Sequence, residues 1–270
     1  MNMQRFTGRF TLITFLIIGG LLFLRTDGYG AEKSVIDSGK KIYETHCAIC
    51  HGSKGDGKGL GAALRWREKS GQLLNVQARD FTVGVFKFRS TPTGCLPTND
   101  DLMHTVTEGI PKSFMPSHKV LSQKEREAVL EYIKTFSKRW KEEEPCKPFM
   151  PRRPLWVGSP ASVERGKQVY KDMKCWECHG EQGEGDGPKA DRLKDDWGFR
   201  IFPFDFTTAD LKRGTTPENI YLAYTTGIDG TGMPSYEDSL SEEDRWHLVS
   251  YTLKLMGAVE ISTASLDKRR

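Results

Sequence analysis

The chain is poor in the features that would make it extreme. Six cysteines in 270 residues are too few for a disulfide-dense mini-scaffold, so what matters is where they fall. Lysine plus arginine (40) against aspartate plus glutamate (36) leaves only +4, and no Lys/Arg block builds a phosphate-tracking patch, which excludes nucleic acid as a partner. Collagen-like and wholly disordered compositions are absent too. The apolar share of 37% comes close to the globular average once glycine is counted. Long hydrophobic runs are missing: the apolar stretch from Phe10 to Leu24 spans 15 residues, below the ~20 that a bilayer-crossing helix needs.

That stretch follows Arg5 and Arg9 and is followed by Arg25, Asp27 and the small residues Gly28 and Gly30. The pattern is that of a secretory signal over 1–30, cleaved after Gly30, and it places the mature chain in the periplasm. An uncleaved anchor is the alternative and would be the only membrane contact, because Gly19 and Gly20 interrupt the run and Tyr29 suits a peptidase poorly. Cleavage removes three positive charges and one negative, leaving +2.

What the chain does have is an internal repeat. Gly39, Ile42, Tyr43, Cys47, Cys50 and His51 recur as Gly166, Val169, Tyr170, Cys175, Cys178 and His179. Thr107, Gly109, Ile110, Met115, Pro116 and Ser117 recur as Thr225, Gly227, Ile228, Met233, Pro234 and Ser235, displaced by 118 positions. Leu121-Ser122 through Tyr132 recurs as Leu240-Ser241 through Tyr251. Between the copies lie Pro145, Pro148, Pro151, Pro154 and Pro160, a proline density that favours an extended spacer. The expected organisation is a signal (1–30), a first domain (31–141), a linker (142–158), a second domain (159–257) and a tail (258–270).

Each copy opens and closes with helical patterning. Ser122 and Glu125 form a capping box ahead of Val129, Tyr132, Ile133 and Phe136, and Ser241 with Asp244 starts the equivalent helix. Gly-, Pro- and Asp-rich loops without strand alternation fill the space between, so the expected class is all-α. Loops that long require something other than side chains at the centre.

Cys47-Ala-Ile-Cys50-His51 and Cys175-Trp-Glu-Cys178-His179 supply it. Both are C-x-x-C-H, the pattern of covalent haem attachment. Two cysteines three residues apart lie on adjacent turns and reach the two vinyl groups of one porphyrin edge, while the next residue presents an imidazole to the iron. At these cysteine and histidine frequencies, chance gives roughly 0.003 matches in the chain. A redox dithiol does not demand the histidine, and zinc would need more ligands at short spacing.

This arrangement resembles the class I cytochrome c fold, and the whole of 31–257 resembles a di-haem cytochrome c with two such domains in tandem. The stretch from Phe86 to Thr98 is also similar to cytochrome subunits of bacterial respiratory oxidoreductases. The resemblance implies two covalently bound haem c groups. It implies His51 and His179 as proximal ligands, a glycine at the crossing of the first and last helices, and a loop methionine on the distal side. Met115 and Met233 are the methionines at equivalent places in both copies, whereas Met103, Met150, Met173 and Met256 have no counterpart. His104, His118 and His247 are the rival distal ligands.

In the family a proline carbonyl fixes the imidazole; Pro188 follows the second histidine, and the first copy, Gly55-Asp56-Gly57-Lys58, lacks it. Lys87, Arg89, Lys212 and Arg213 are candidate propionate partners. Cys95 and Cys146 belong to neither motif and either pair with each other or remain thiols. The implied function is single-electron transfer between periplasmic redox proteins, or within a membrane respiratory complex, without enzymatic turnover. The alternative is an enzyme of the di-haem peroxidase kind, which would need a vacant iron position.

Overall fold

A computed structural model describes residues 33–67 and 73–258. The segment 1–30 expected to be a signal and all but the first residue of the 258–270 tail lie outside the described residues. No helix among the described residues is long and apolar enough to cross a membrane. The first half contains α1 (Lys33–His46), α2 (Ala48–His51), β1 (Ala63–Arg67), β2 (Leu73–Gln77), α3 (Asn99–Glu108), α4 (Gln123–Lys134) and α5 (Arg139–Glu142). The second contains α6 (Pro160–Asp172), α7 (Trp176–His179), α8 (Pro217–Thr226) and α9 (Glu242–Leu255), with two short 3-10 turns before α8.

Local chemistry sets the helix starts. Thr98 and Ser122 each accept from the backbone N–H three residues on, with Asp101 and Glu125 reaching back to complete capping boxes. Ser159 and Thr216 cap α6 and α8, each followed by a proline whose missing N–H costs nothing in a first turn. Ser241 caps α9 by accepting from Asp244 N–H.

One element departs from the expectation of helices and loops only. β1 and β2 pair antiparallel, Ala63 opposite Gln77, in the first half. Two five-residue runs are too short for periodicity to separate from loop, and Leu73-Leu74-Asn75-Val76 does not alternate at all.

Two hydrophobic cores result, one per copy. Tyr43, Phe81, Leu102, Val129 and Ile133 are among the buried residues of the first, and Tyr170, Phe206, Tyr224, Trp246 and Leu248 of the second. Each fully buried apolar side chain contributes about 1.5–3 kcal/mol. The opening and closing helices of each half cross at a glycine. A Cβ on Gly39 would lie 2.0 Å from the Ala128 carbonyl oxygen, and one on Gly166 would lie 1.9 Å from that of His247. Only glycine permits backbones this close.

The linker is tied down. Cys95 and Cys146 form a disulfide, and Phe149 N–H donates to the Ser90 carbonyl at 2.7 Å. Of the two fates open to these cysteines, the pair is the one adopted.

Arginines at equivalent places in the two copies join the halves. Buried Arg89 reaches Asp229 at 2.8 Å and donates to the Thr226 carbonyl at 3.1 Å. Arg213 donates to the Arg89 carbonyl at 2.7 Å and approaches Asp101 at 3.4 Å. Each arginine thus crosses to the helix, α8 or α3, that carries the other half's methionine loop.

Candidate functional site

The C-x-x-C-H segments occupy the short helices α2 and α7, which follow the opening helices directly. The turn after each histidine is stitched back by the same bonds. Gly57 N–H donates to His51 O at 2.9 Å and Gly59 N–H to Cys50 O at 3.2 Å; Gly185 and Gly187 do the same to His179 and Cys178 at 2.8 and 3.1 Å. Tyr43 hydroxyl donates to Gly52 O and Tyr170 hydroxyl to Gly180 O, both at 2.7 Å. Every link is duplicated, so the two segments share one backbone path.

The imidazoles are oriented by carbonyls that the sequence did not advertise. His51 Nδ1–H donates to the Arg79 carbonyl at 3.0 Å and His179 Nδ1–H to the Phe204 carbonyl at 3.1 Å. Pro188 has no part in this, which corrects the expectation taken from the family. A backbone carbonyl 25 or 28 residues downstream does the same job whatever side chain it carries. With the proton on Nδ1, Nε2 keeps its lone pair for a metal. Burial pushes both imidazoles below the ordinary histidine value, which also favours the neutral ligand form.

A phenylalanine stacks on each ring. Phe81 lies 4.4 Å from His51, centroid to centroid, and Phe206 lies 4.6 Å from His179. Both belong to an Asp-Phe-Thr triplet, 80–82 and 205–207, in which the aspartate accepts from the threonine N–H and hydroxyl. Phe81 N–H then donates to Gly55 O and Phe206 N–H to Gly183 O, each at 2.7 Å. This fourth repeated block was missed in the sequence. The recurrence of the triplet at a spacing of 125 residues was the available signal.

The methionine loops also repeat bond for bond. Ile110 N–H donates to Met115 O at 3.0 Å and Ile228 N–H to Met233 O at 3.1 Å. Ser117 and Ser235 hydroxyls anchor the far side to Thr107 O and Thr225 O. Met115 packs against the first core and Met233 against the second.

The rival histidines are placed differently. His104 pairs with the Arg213 carbonyl at 3.3 Å, and His247 pairs with Ser162 at 2.9 Å beside Trp156. His118 is buried near His46 and occupies the position of Tyr236, since their N–H groups bond to Val106 O and Tyr224 O in turn.

The residues present suit a buried, anionic-edged macrocycle. Burial pushes the Cys47 thiol up to about 11 and the Cys175 thiol up to about 12, the reverse of an activated redox dithiol. Arg79 Nη2 is buried without a hydrogen-bond partner, and burial holds the nearby Lys87 down to about 8, so the surroundings of these two cations have unmet demand for an anion. Arg89 and Arg213, considered for that role from sequence, direct their guanidinium groups across the seam instead.

Comparison with known proteins agrees with this geometry. The cytochrome c family matches residues 163–255, and the family of cytochrome c oxidase, cbb3-type, subunit III matches residues 34–133. A solved chain of the Kuenenia stuttgartiensis reducing HAO-like protein complex is 37% identical, with 86% of this chain and 99% of that one covered and a TM-score of 0.73. No curated protein matches. The chain belongs to the di-haem class I cytochromes c. It is an electron-transfer cytochrome with two covalently bound haem c groups.

Proposed function

We propose that Cys47 and Cys50 hold the first haem with His51 and Met115 as its axial ligands, and that Cys175, Cys178, His179 and Met233 do the same for the second. The observation that carries this is the duplicated frame: imidazole, orienting carbonyl, stacked phenylalanine and methionine loop recur with matching hydrogen bonds. A haem with histidine and methionine on its two faces exchanges one electron at a raised potential, with little rearrangement. The chain's own part is to fix the ring through Arg79 O or Phe204 O, to seat the thioether, and to keep water away.

The protein passes single electrons between periplasmic partners, as the cytochrome subunit of a respiratory complex in preference to a free carrier. Two things support that preference: the solved relative is a chain of a complex, and the first half matches an oxidase subunit family. A periplasmic site is supported by the Cys95–Cys146 disulfide and by the apolar run at 10–24. The domains run 31–141 and 159–257, joined by 142–158. A di-haem peroxidase would need one displaceable ligand, and a Met-Pro loop in both halves speaks against it.

Replacing Met115 or Met233 by histidine tests the assignment. Each change lowers one haem's potential by roughly 0.2 V, a fraction of the ~0.8 V that axial ligands span, and leaves both haems attached. Unchanged midpoints in an optical redox titration would remove that methionine as a ligand.

A further inference from the structure

The loops that follow the two histidines have the same length and backbone path but opposite charge. Residues 52–60 hold Lys54 and Lys58 against one acid, Asp56; residues 180–188 hold Glu181, Glu184 and Asp186 and no base. Lys54, Lys58, Glu181, Glu184 and Asp186 are all exposed. A net charge of +4 over the whole chain conceals this contrast.

The cysteine edges differ as well. In the second half Glu177 and Lys189 form an ion pair beside Cys178. The equivalent positions in the first half are Ile49 and Gly61. Gly61 has no side chain, and a Cβ placed there would lie 3.1 Å from Cys50 Sγ. Around it Ile49 is 58% exposed, Leu60 98% and Leu64 36%. Exposed leucine and isoleucine grouped at one place mark an interaction site more often than an indifferent surface.

We infer that this face of the first half, apolar at Ile49, Leu60 and Leu64 and basic at Lys54 and Lys58, docks a one-electron redox protein whose own face is acidic around an apolar centre. The inference rests on the assignment of Cys47 and Cys50 to the first haem. The basic rim steers encounter and sets register, and the apolar centre excludes water at the contact. The acidic loop of the second half repels the same partner. The two halves therefore address different proteins, one delivering electrons and the other taking them away. Each crossing moves one electron, oxidising one partner and reducing the other, with no bond made or broken.

The test uses the full-length haem-loaded protein with a strongly acidic [2Fe–2S] ferredoxin as probe, at an ionic strength of about 0.01 M, where the Debye length is about 30 Å. The wild type binds the ferredoxin. Lys54→Glu combined with Lys58→Glu weakens binding at least about ten-fold, and Leu60→Ser weakens it several-fold. Glu184→Lys in the second half leaves it unweakened. Equal binding by the Lys54/Lys58 variant, no binding by the wild type, or sedimentation showing the face filled by a second copy would each overturn the proposal. Mass spectrometry of every variant separates the two readings. A first half without haem sinks the ligand assignment and the docking together, whereas two haems without ferredoxin binding sink the docking alone.

Discussion

The two halves share one frame and differ in how they complete it. Where the first half has Lys112 in the left-handed region (φ 54), the second has Gly230 (φ 77), so the first methionine loop carries backbone strain that the second avoids. His118 in one half stands where Tyr236 stands in the other, and Ala128 at the first helix crossing is replaced by His247 at the second. What never varies is the set of bonds that fix the imidazole and the methionine loop. Duplication has preserved the backbone around the histidines and the methionine loops and released side chains at the periphery, which is what the proposed function, set by axial ligation and burial, requires.

The halves also brace one another. Arg79, whose carbonyl holds His51, sends its guanidinium over Trp197 of the second half at 4.8 Å, and its Nη2 comes within 3.7 Å of where a Gly230 Cβ would lie. In return Lys112, in the first methionine loop, donates to Thr208 and lies over Phe204, whose carbonyl holds His179. Each half's methionine loop touches the segment that orients the other half's histidine.

The comparison breaks most completely at the helix crossings. Gly39→Val and Gly166→Val each force a side chain into a carbonyl oxygen at about 2 Å, and each costs more than about 4 kcal/mol in its own half. Visible spectra should then show one perturbed haem and one native haem; two equally perturbed haems would mean the halves do not pack independently. Removing the disulfide by Cys95→Ser with Cys146→Ser costs about 4 kcal/mol, as expected for a closed loop of roughly fifty residues, read as a lower midpoint of the single denaturant unfolding transition with both haems still attached.

Asp229→Ala acts on the seam. It strands fully buried Arg89 and costs about 3 kcal/mol, and it should split a single unfolding transition into two. Smallest are Phe81→Leu and Phe206→Leu, each losing about 1 kcal/mol of ring stacking on one imidazole. Both haems stay attached, and nuclear magnetic resonance of the axial histidine detects the loosened ring in the substituted half alone.

Much of the site was legible in the sequence because its chemistry is local. Cys47, Cys50 and His51 sit within five residues, and so do Cys175, Cys178 and His179, so covalent attachment leaves a mark that no fold is needed to read. The Met115 and Met233 loops were found through their repeat, and Gly39 and Gly166 through their place on the opening helices. Phe81 and Phe206 were missed although their triplet recurs, because a phenylalanine in a loop carries no reactive group to draw notice. Arg79 and Phe204 offered nothing to find: a main-chain carbonyl is the same at every residue. The β1–β2 pair was hidden by its short strands.

The sequence by itself determined two haem-bearing copies of one unit, because attachment is dictated by residue type at fixed short spacing and duplication preserves order. Only the tertiary structure decided which carbonyl faces each imidazole, that Cys95 meets Cys146, and that Arg89 and Arg213 cross between the halves. Those outcomes depend on contacts between residues from about 25 to well over 100 positions apart, where chain closure and packing, rather than residue identity, select the partner.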